Sequence, residues 1–458
     1  MKQQAKPERS SLNDANGITR LAVSGYKSIS QEQSIDMKPL TVLAGANSSG
    51  KSSIMQPLLL LKQTLEASYD PGALLLNGPN VRFTSVDQLF SRTGNKKKRA
   101  DTFRVGIEIA SETTLTISFH RQPKKGIEIQ QMTFISDSEK TALSPGMTHD
   151  EIISIIPSSV EKLPKMFAGE KKKEPGWTVV RDRCFLLLAL KLKDGKEIRI
   201  SIPGLLQGIT SLSPGMTVEP YIRELIHLPG LRGNPERTYP VTAVGSMFPG
   251  TFQEYTASVI AQWQADNQED KIEGLSKDLE RLGLTWKVHA KPINETQVEI
   301  QVGRLTRAAR GGAGDLVNIA DVGFGLSQTL PLIVAIHAAK PGQLLYVEQP
   351  EIHLHPGAQF AMARVLADAA NRGVRVVIET HSSLLLLGVQ TIVAEGALSP
   401  DKLKLHWFKR RENGATEIRS ADLDEAGAFG DWPEDFDKVA LDAQSRYLNA
   451  AEARLMRK

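Results

Sequence analysis

Apolar positions along the chain fall into three patterns, and each predicts a different element. Continuous apolar runs at 39–44 (Pro-Leu-Thr-Val-Leu-Ala), 343–347 and 374–378 predict strands buried on both faces. Apolar and polar residues alternate at 18–23, 103–109, 115–119 and 127–129, predicting half-buried strands, the last three as an antiparallel meander. Residues 184–193 and 198–202, separated by Asp194-Gly195, predict a hairpin. Helical spacing marks 52–67, with Ile54, Met55, Leu58 to Leu61 and Leu65 as its apolar set. It also marks 220–226, 254–264, 272–282, 329–339, an amphipathic 357–371 and a closing helix at 441–457. Pro57 lies about two turns into the first helix and predicts a kink or local distortion there. Pro331 stands near the start of 329–339, where a missing N–H is tolerated.

The order strand 343–347, helix 357–371, strand 374–378 is a βαβ unit, so one sheet is at least partly parallel. Strands are also expected over 286–302, with a hairpin after Asp401. Residues 141–174 are polar and predict a mobile excursion; 228–250 is a Pro/Gly-rich connection, and 311–315 a Gly-rich approach. These patterns divide the chain into a disordered lead (1–17), an N-terminal lobe (18–133), an accessory α+β insertion (134–300) and a C-terminal lobe (301–458). No internal repeat is evident, and 133–270 lacks the heptads of a coiled-coil arm.

Composition narrows the classes. A chain of 458 residues accommodates two or three domains, or one with a large insertion. The single cysteine, Cys184, sits in an apolar run and reads as a buried small hydrophobe; no disulfide framework is possible within the chain, which suits a reducing cytoplasm. The polar N-terminus does not resemble a signal peptide, and no apolar run approaches a membrane span. A net charge of +4 neither demands nor excludes nucleic acid, and the basic runs 96–99 and 171–173 read as solvated loops.

Gly45-Ala46-Asn47-Ser48-Ser49-Gly50-Lys51-Ser52 fits G-x-x-x-x-G-K-[ST] between a predicted strand and a predicted helix, with Ser53 following. That context makes it a phosphate loop: backbone N–H groups and a helix N-terminus face the anion. Lys51 is expected on the β/γ-phosphates and the Ser52 hydroxyl on Mg²⁺. Asp87 and Gln88 are candidates to sense the γ-phosphate or the metal, or are surface-loop residues. Tyr26 reads as a core aromatic in preference to an adenine-stacking one. His353 and His355 form an H-x-H pair without further metal ligands beyond Glu351, and read as a turn in which His355 caps or packs against the following helix.

Three later motifs address the same site. Glu348 ends a buried strand, the place from which Mg²⁺ or its water is held. His381 lies just past the strand 374–378, placed for a γ-phosphate contact. Gly323-Phe-Gly-Leu-Ser-Gln328 opens a helix and supplies a second anion-facing N-terminus.

Together these segments resemble the ATP-binding-cassette-type ATPases of the SMC/RecF/OLD group, and among them the stand-alone OLD-like AAA ATPases of phage-defence systems, such as the ATPase subunit of Septu. The likeness covers roughly 18–120 and 300–400, plus the run 431–436, and the pairing of 323–328 with 348–356 is its most specific part. It implies an α/β, ABC/SMC-type P-loop NTPase head with a mixed sheet, interrupted by the α+β insertion. It further implies a head-to-tail nucleotide sandwich. Residues 45–53 of one protomer bind ATP and Mg²⁺, and Gly325, Ser327 and Gln328 of a second protomer close over the γ-phosphate. Glu348 is then the Walker B acid and His381 the switch histidine, and a complete site needs at least two chains.

One departure changes the expected chemistry. The group normally has a glutamate after the Walker B acid; here that residue is Gln349. An amide orients water but does not take its proton. Glu351 is an alternative base if the turn brings it round. The resemblance thus implies a slow ATPase, acting as the regulatory subunit of an antiviral complex that controls a separately encoded nuclease, for example of HNH type. The alternative is a RecF/SMC-like repair ATPase that binds duplex DNA itself. A transporter cassette fits poorly, because the stretch between Lys51 and Ser327 is too long and no membrane segment accompanies it. If the missing base limits turnover, Gln349→Glu raises ATP hydrolysis by roughly severalfold, as phosphate release would record; an unchanged rate moves the role to Glu351 or elsewhere.

Overall fold

The computed structural model describes residues 17–92, 99–109, 113–122, 126–136, 139–156, 176–191, 197–199, 214–307, 314–430, 445–449 and 452. The N-terminal lead, most of both basic runs, the run 431–436 and most of the predicted closing helix lie outside these residues.

The functional end of the molecule is built on a six-stranded mixed sheet. Its order is Ile226–Leu228, Leu344–Glu348, Arg375–Thr380, Leu40–Gly45, Leu403–Arg410, Thr416–Ala421. The first five strands run parallel, and the last returns antiparallel as the partner of Leu403–Arg410. The central strands Leu40–Gly45 and Arg375–Thr380 are buried at every position, which is why their sequences are runs and not alternations. Helices Phe324–Ala338, Pro356–Asn371 and Ser383–Ala394 share one core with this sheet, as do Thr256–Ala265, Glu269–Arg281 and the hairpin Val288–Asn294/Gln297–Gly303. On the other side, helix Lys51–Glu66 packs with an antiparallel six-stranded sheet, ordered Gln33–Asp36, Ile18–Ser24, Thr102–Ile109, Thr113–Gln122, Gly126–Ser136, Glu139–Leu143. The predicted meander is therefore present and extends by one strand.

Tyr26 is fully buried against Phe103, with ring centroids 5.4 Å apart, so it is a core aromatic. Cys184 is buried too, and burial pushes its thiol pKa up. His355 accepts from the Gly357 N–H at 3.3 Å, capping the helix Pro356–Asn371.

Two local expectations need correction. The helix expected at 220–226 is Pro214–Arg223, and Ile226–Leu228 is instead a strand pairing with Leu345 to Val347. Three residues are too few to show a period, so only the tertiary partner reveals it. The helix expected at 329–339 begins at Phe324, which places the 323–328 motif in its first turns and Pro331 in its interior. The phosphate-loop helix runs from Lys51 to Glu66 with Pro57 inside it.

The helices Pro356–Asn371 and Ser383–Ala394 cross at Gly388, where an added Cβ would sit 2.6 Å from the Phe360 carbonyl oxygen and 2.9 Å from the Ala363 Cβ. Gly388→Ala should destabilise the protein by about 1–3 kcal/mol through this overpacking, seen as a lower urea midpoint; an unchanged midpoint would mean that the two helices part freely.

Candidate functional site

Every parallel strand delivers its C-terminal end to the same edge of the sheet. Glu348 pairs with Glu379, Glu379 with Leu43, and Gly45 with Phe408, so phosphate loop, Walker strand and histidine strand end side by side. There they line one cleft of about 760 Å³ with Asn47 to Ser53, Glu348, Gln349, Glu379 and His381.

The loop owes its shape to left-handed residues at Ser48 (φ 60°) and Gly50 (φ 103°). Gly50 is obligatory: a Cβ there would meet Thr416 Oγ1 at 2.3 Å and Ser28 Oγ at 2.8 Å. Those two hydroxyls brace the loop from behind, Thr416 Oγ1 donating to the Ser49 carbonyl and accepting from Ser28 Oγ, both at 2.8 Å. Arg410 fixes the Ser48 carbonyl at 3.0 Å. Lys51 is buried and folds back on its own loop, donating to the Gly45 and Ala46 carbonyls at 2.9 Å. Burial depresses its pKa, and the charges of Glu379 and Glu351 pull the other way.

Opposite the loop stand two carboxylates. Glu379 accepts from the Ser52 hydroxyl at 2.8 Å and from the Tyr346 hydroxyl. Burial, reinforced by the neighbouring charge of Glu348, raises its pKa to about 7. Glu348 is held by the Gly230 N–H at 3.2 Å and lies 3.4 Å from His227 Nε2. Its own burial pushes the pKa up, but His227, the Gly230 N–H and Arg232 outweigh that and leave it below the ordinary carboxylate range. The donors Ser52, Glu348 and Glu379 are all hard oxygens, and the Glu348 charge that adds to burial in raising Glu379 is what a dication would relieve. The set fits Mg²⁺. Among the described residues no group of three or more His, Cys, Asp or Glu is placed to hold a metal ion.

His381 faces the cleft and hydrogen-bonds the Gly45 carbonyl; its burial and the Lys51 cation depress its pKa, so the imidazole is neutral. Gln349 takes a left-handed conformation (φ 47°), its N–H donating to the Glu379 carbonyl at 2.8 Å, and its side chain lines the cleft. Glu351 does not line the cleft. Its Oε1 accepts from Thr380 Oγ1 and the His381 N–H, both at 2.8 Å, which makes it a brace for the histidine turn. Gln88 lines the cleft, but its side chain closes a capping box on Thr84 and Ser85; Asp87 pairs with Arg121 at 2.9 Å.

The 323–328 motif lies elsewhere on the same chain. Ser327 and Gln328 line a separate pocket with Arg232, Gly233 and Tyr239. Ser327 Oγ donates to the Phe324 carbonyl at 3.1 Å, and Gln328 Nε2 to the Gly233 carbonyl at 2.7 Å. Gly323 and Phe324 are exposed at the helix start.

Sequence reasoning overlooked Glu379, although it ends a buried strand two residues before His381, the same signal that marked Glu348. It also overlooked Lys27, Arg92, Arg99 and Arg410, which make the cleft wall basic, and the 227–233 segment, whose only visible mark is its Pro and Gly content.

Two family models match the chain. Residues 17–178 match "AAA ATPase domain", and residues 264–387 match "AAA domain, putative AbiEii toxin, Type IV TA system". Both are AAA-type ATPase domains. No curated protein matches the chain. Solved structures similar to it include an SMC head bound to the C-terminal winged-helix domain of ScpA (13% identity, covering 90% of this chain and 99% of that one, TM-score 0.47). Another is the SMC head domain from Thermotoga maritima (11% identity, 88% and 98% covered, TM-score 0.41). No helix among the described residues is long and apolar enough to cross a membrane.

The burial of Glu379 beside Glu348 has a measurable sign. Glu379 binds its proton more tightly folded (about 7) than at its ordinary 4.5, so the metal-free protein loses stability as pH rises through that window. In EDTA, Glu379→Gln should flatten this decline and stabilise the protein above pH 7 by up to about 3 kcal/mol. Thermal melts across pH would record it, and an unaltered slope would mean that Glu379 ionises normally.

Proposed function

We propose that this chain is an ATPase that binds ATP·Mg²⁺ in the cleft at residues 45–53 and completes the site with the 323–328 motif of a second copy. The observation that carries this reading is the partition of the chain's own chemistry. Phosphate loop, acids and histidine share one cleft, while Ser327 and Gln328 line another. A single chain therefore holds each half-site once and does not close either.

Within the site, the loop N–H groups and Lys51 take the phosphates, Lys51 exchanging two carbonyls of its own loop for anionic oxygens. Ser52, Glu348 and Glu379 would hold the metal, which would supply neutralisation of charge on the phosphoryl oxygens. His381, neutral and next to Lys51, donates toward the γ-phosphate. Gln349 orients water and leaves its proton without a strong acceptor; Glu351 is held through Oε1 by Thr380 and His381, with its Oε2 unpartnered. Turnover is slow, and occupancy matters more than flux.

The reading extends to biology through resemblance: a regulatory ATPase of an antiviral defence complex, assembled as an oligomer and restraining or positioning a partner nuclease. The toxin–antitoxin wording of the model matched at 264–387 supports a defence setting. The basic cleft wall at Lys27, Arg92, Arg99 and Arg410 favours the second reading, a repair-type ATPase that also contacts DNA. Co-purification with a nuclease and weak DNA binding alone supports the first; salt-dependent duplex binding by the isolated protein supports the second.

Lys51→Ala should weaken ATP affinity by at least about a hundredfold, on the order of 3 kcal/mol lost from charge-assisted contacts, and abolish ATP-dependent self-association. Calorimetry and sedimentation would measure the two effects, and an unchanged affinity refutes the site.

A further inference from the structure

The segment His227–Gly233 makes an unusual set of contacts for a connection between elements. Its first residue stacks on Tyr346, centroids 5.4 Å apart, and reaches Glu348 Oε1, while the Gly230 N–H takes Glu348 Oε2. Its last residue accepts from the Gln328 side chain. Between them, Arg232 is only 7% exposed. Its guanidinium forks: Nη2 donates to the backbone carbonyl of Glu348 at 2.9 Å, and Nη1 to the backbone carbonyl of Gln328 at 2.7 Å. Nε has no partner.

We infer that Arg232 is a positioning residue that couples the two half-sites of one chain, so that nucleotide held at Glu348 sets the presentation of the 323–328 helix to the second copy. The inference rests on the two-copy reading above. Its physical basis is the stiffness of the bridge. A buried cation hydrogen-bonded to no carboxylate is costly, and its charge is offset by the nearby acids Glu348 and Glu351 and by carbonyl dipoles. Those carbonyls belong to different elements, one closing the acid strand and one on the helix that carries Ser327. A planar fork holds both at fixed spacing, so movement of the Glu348 main chain strains the bond to Gln328 unless the helix follows. The Gln328–Gly233 bond ties the same helix to the same segment a second time. Bound metal and phosphate would compete with His227 and Gly230 for the Glu348 carboxylate, and any resulting shift of the segment would carry the helix with it.

A lysine in this place keeps the charge but reaches only one carbonyl at a time. With a non-hydrolysable ATP analogue and Mg²⁺, Arg232→Lys should bind nucleotide within about twofold of the unaltered protein, yet need about tenfold more protein to self-associate, a typical allosteric coupling. Its ATPase rate should also lose cooperativity in ATP. Self-association and cooperativity at the unaltered level would overturn the inference alone. Nucleotide affinity falling in step with assembly would overturn it too, because Arg232 would then be a simple support. If the unaltered protein does not associate with nucleotide at all, the two-copy reading falls and takes this inference with it. A measurement on the unaltered chain guards against a variant that does not fold. Diluted until it is monomeric, the protein given the analogue should show slowed amide exchange at 323–328 together with the phosphate loop; exchange unchanged at 323–328 overturns the coupling.

Discussion

Two carboxylates end neighbouring buried strands in this protein, and the surrounding chemistry manages their repulsion. Glu348 and Glu379 are register partners, so the sheet itself fixes them side by side. The structure treats them unequally. Glu348 is solvated by protein, through His227 and the Gly230 N–H, and remains ionised. Glu379 has two hydroxyl donors, Ser52 and Tyr346, and is pushed toward its neutral form. Such a pair is poised: neutral enough to fold without a metal, anionic enough to take one. The cation that settles the account in the nucleotide-free protein is Lys51, which sits on its own loop's carbonyls and remains available to a triphosphate.

Much of this was legible in the sequence where local chemistry and local pattern coincide. The phosphate loop was visible because a glycine spacing, a buried strand and an apolar helix follow one another without interruption. The histidine strand and its βαβ connection were visible for the same reason. What stayed hidden depends on pairings between distant segments. Ile226–Leu228 is too short to carry a period and becomes a strand only beside Leu345–Val347. Arg232 has nothing in its neighbourhood to distinguish it from any loop arginine; its meaning comes from carbonyls at 328 and 348. Glu351 has the right chemistry for a base, and only the turn at Gln349, with its left-handed backbone, shows that the carboxylate points to Thr380 and His381.

The accessory region is less separate than the sequence pattern suggests. Phe252, Val259, Leu275, Val288 and Ile300 share a core with Leu330, Ile333 and Val347, and the helices between 252 and 281 pack directly against the helix bearing Ser327. Anything that presses on this region is one packed layer away from the 323–328 motif. Tightly packed interiors transmit displacement because they have little free volume in which to lose it.

The brace behind the phosphate loop also dictates when the loop comes into being. Leu40 pairs on one side with Val376 and on the other with Leu403, and the hydroxyl wedged against Gly50 belongs to Thr416. Loops that long close slowly, and a ribosome makes the chain from the other end. During synthesis the motif at 45–52 waits, as a glycine-rich turn with nothing on either flank, until nearly all the rest has emerged. A fragment released before Arg375 carries the letters of a nucleotide site without the two strands that flank it.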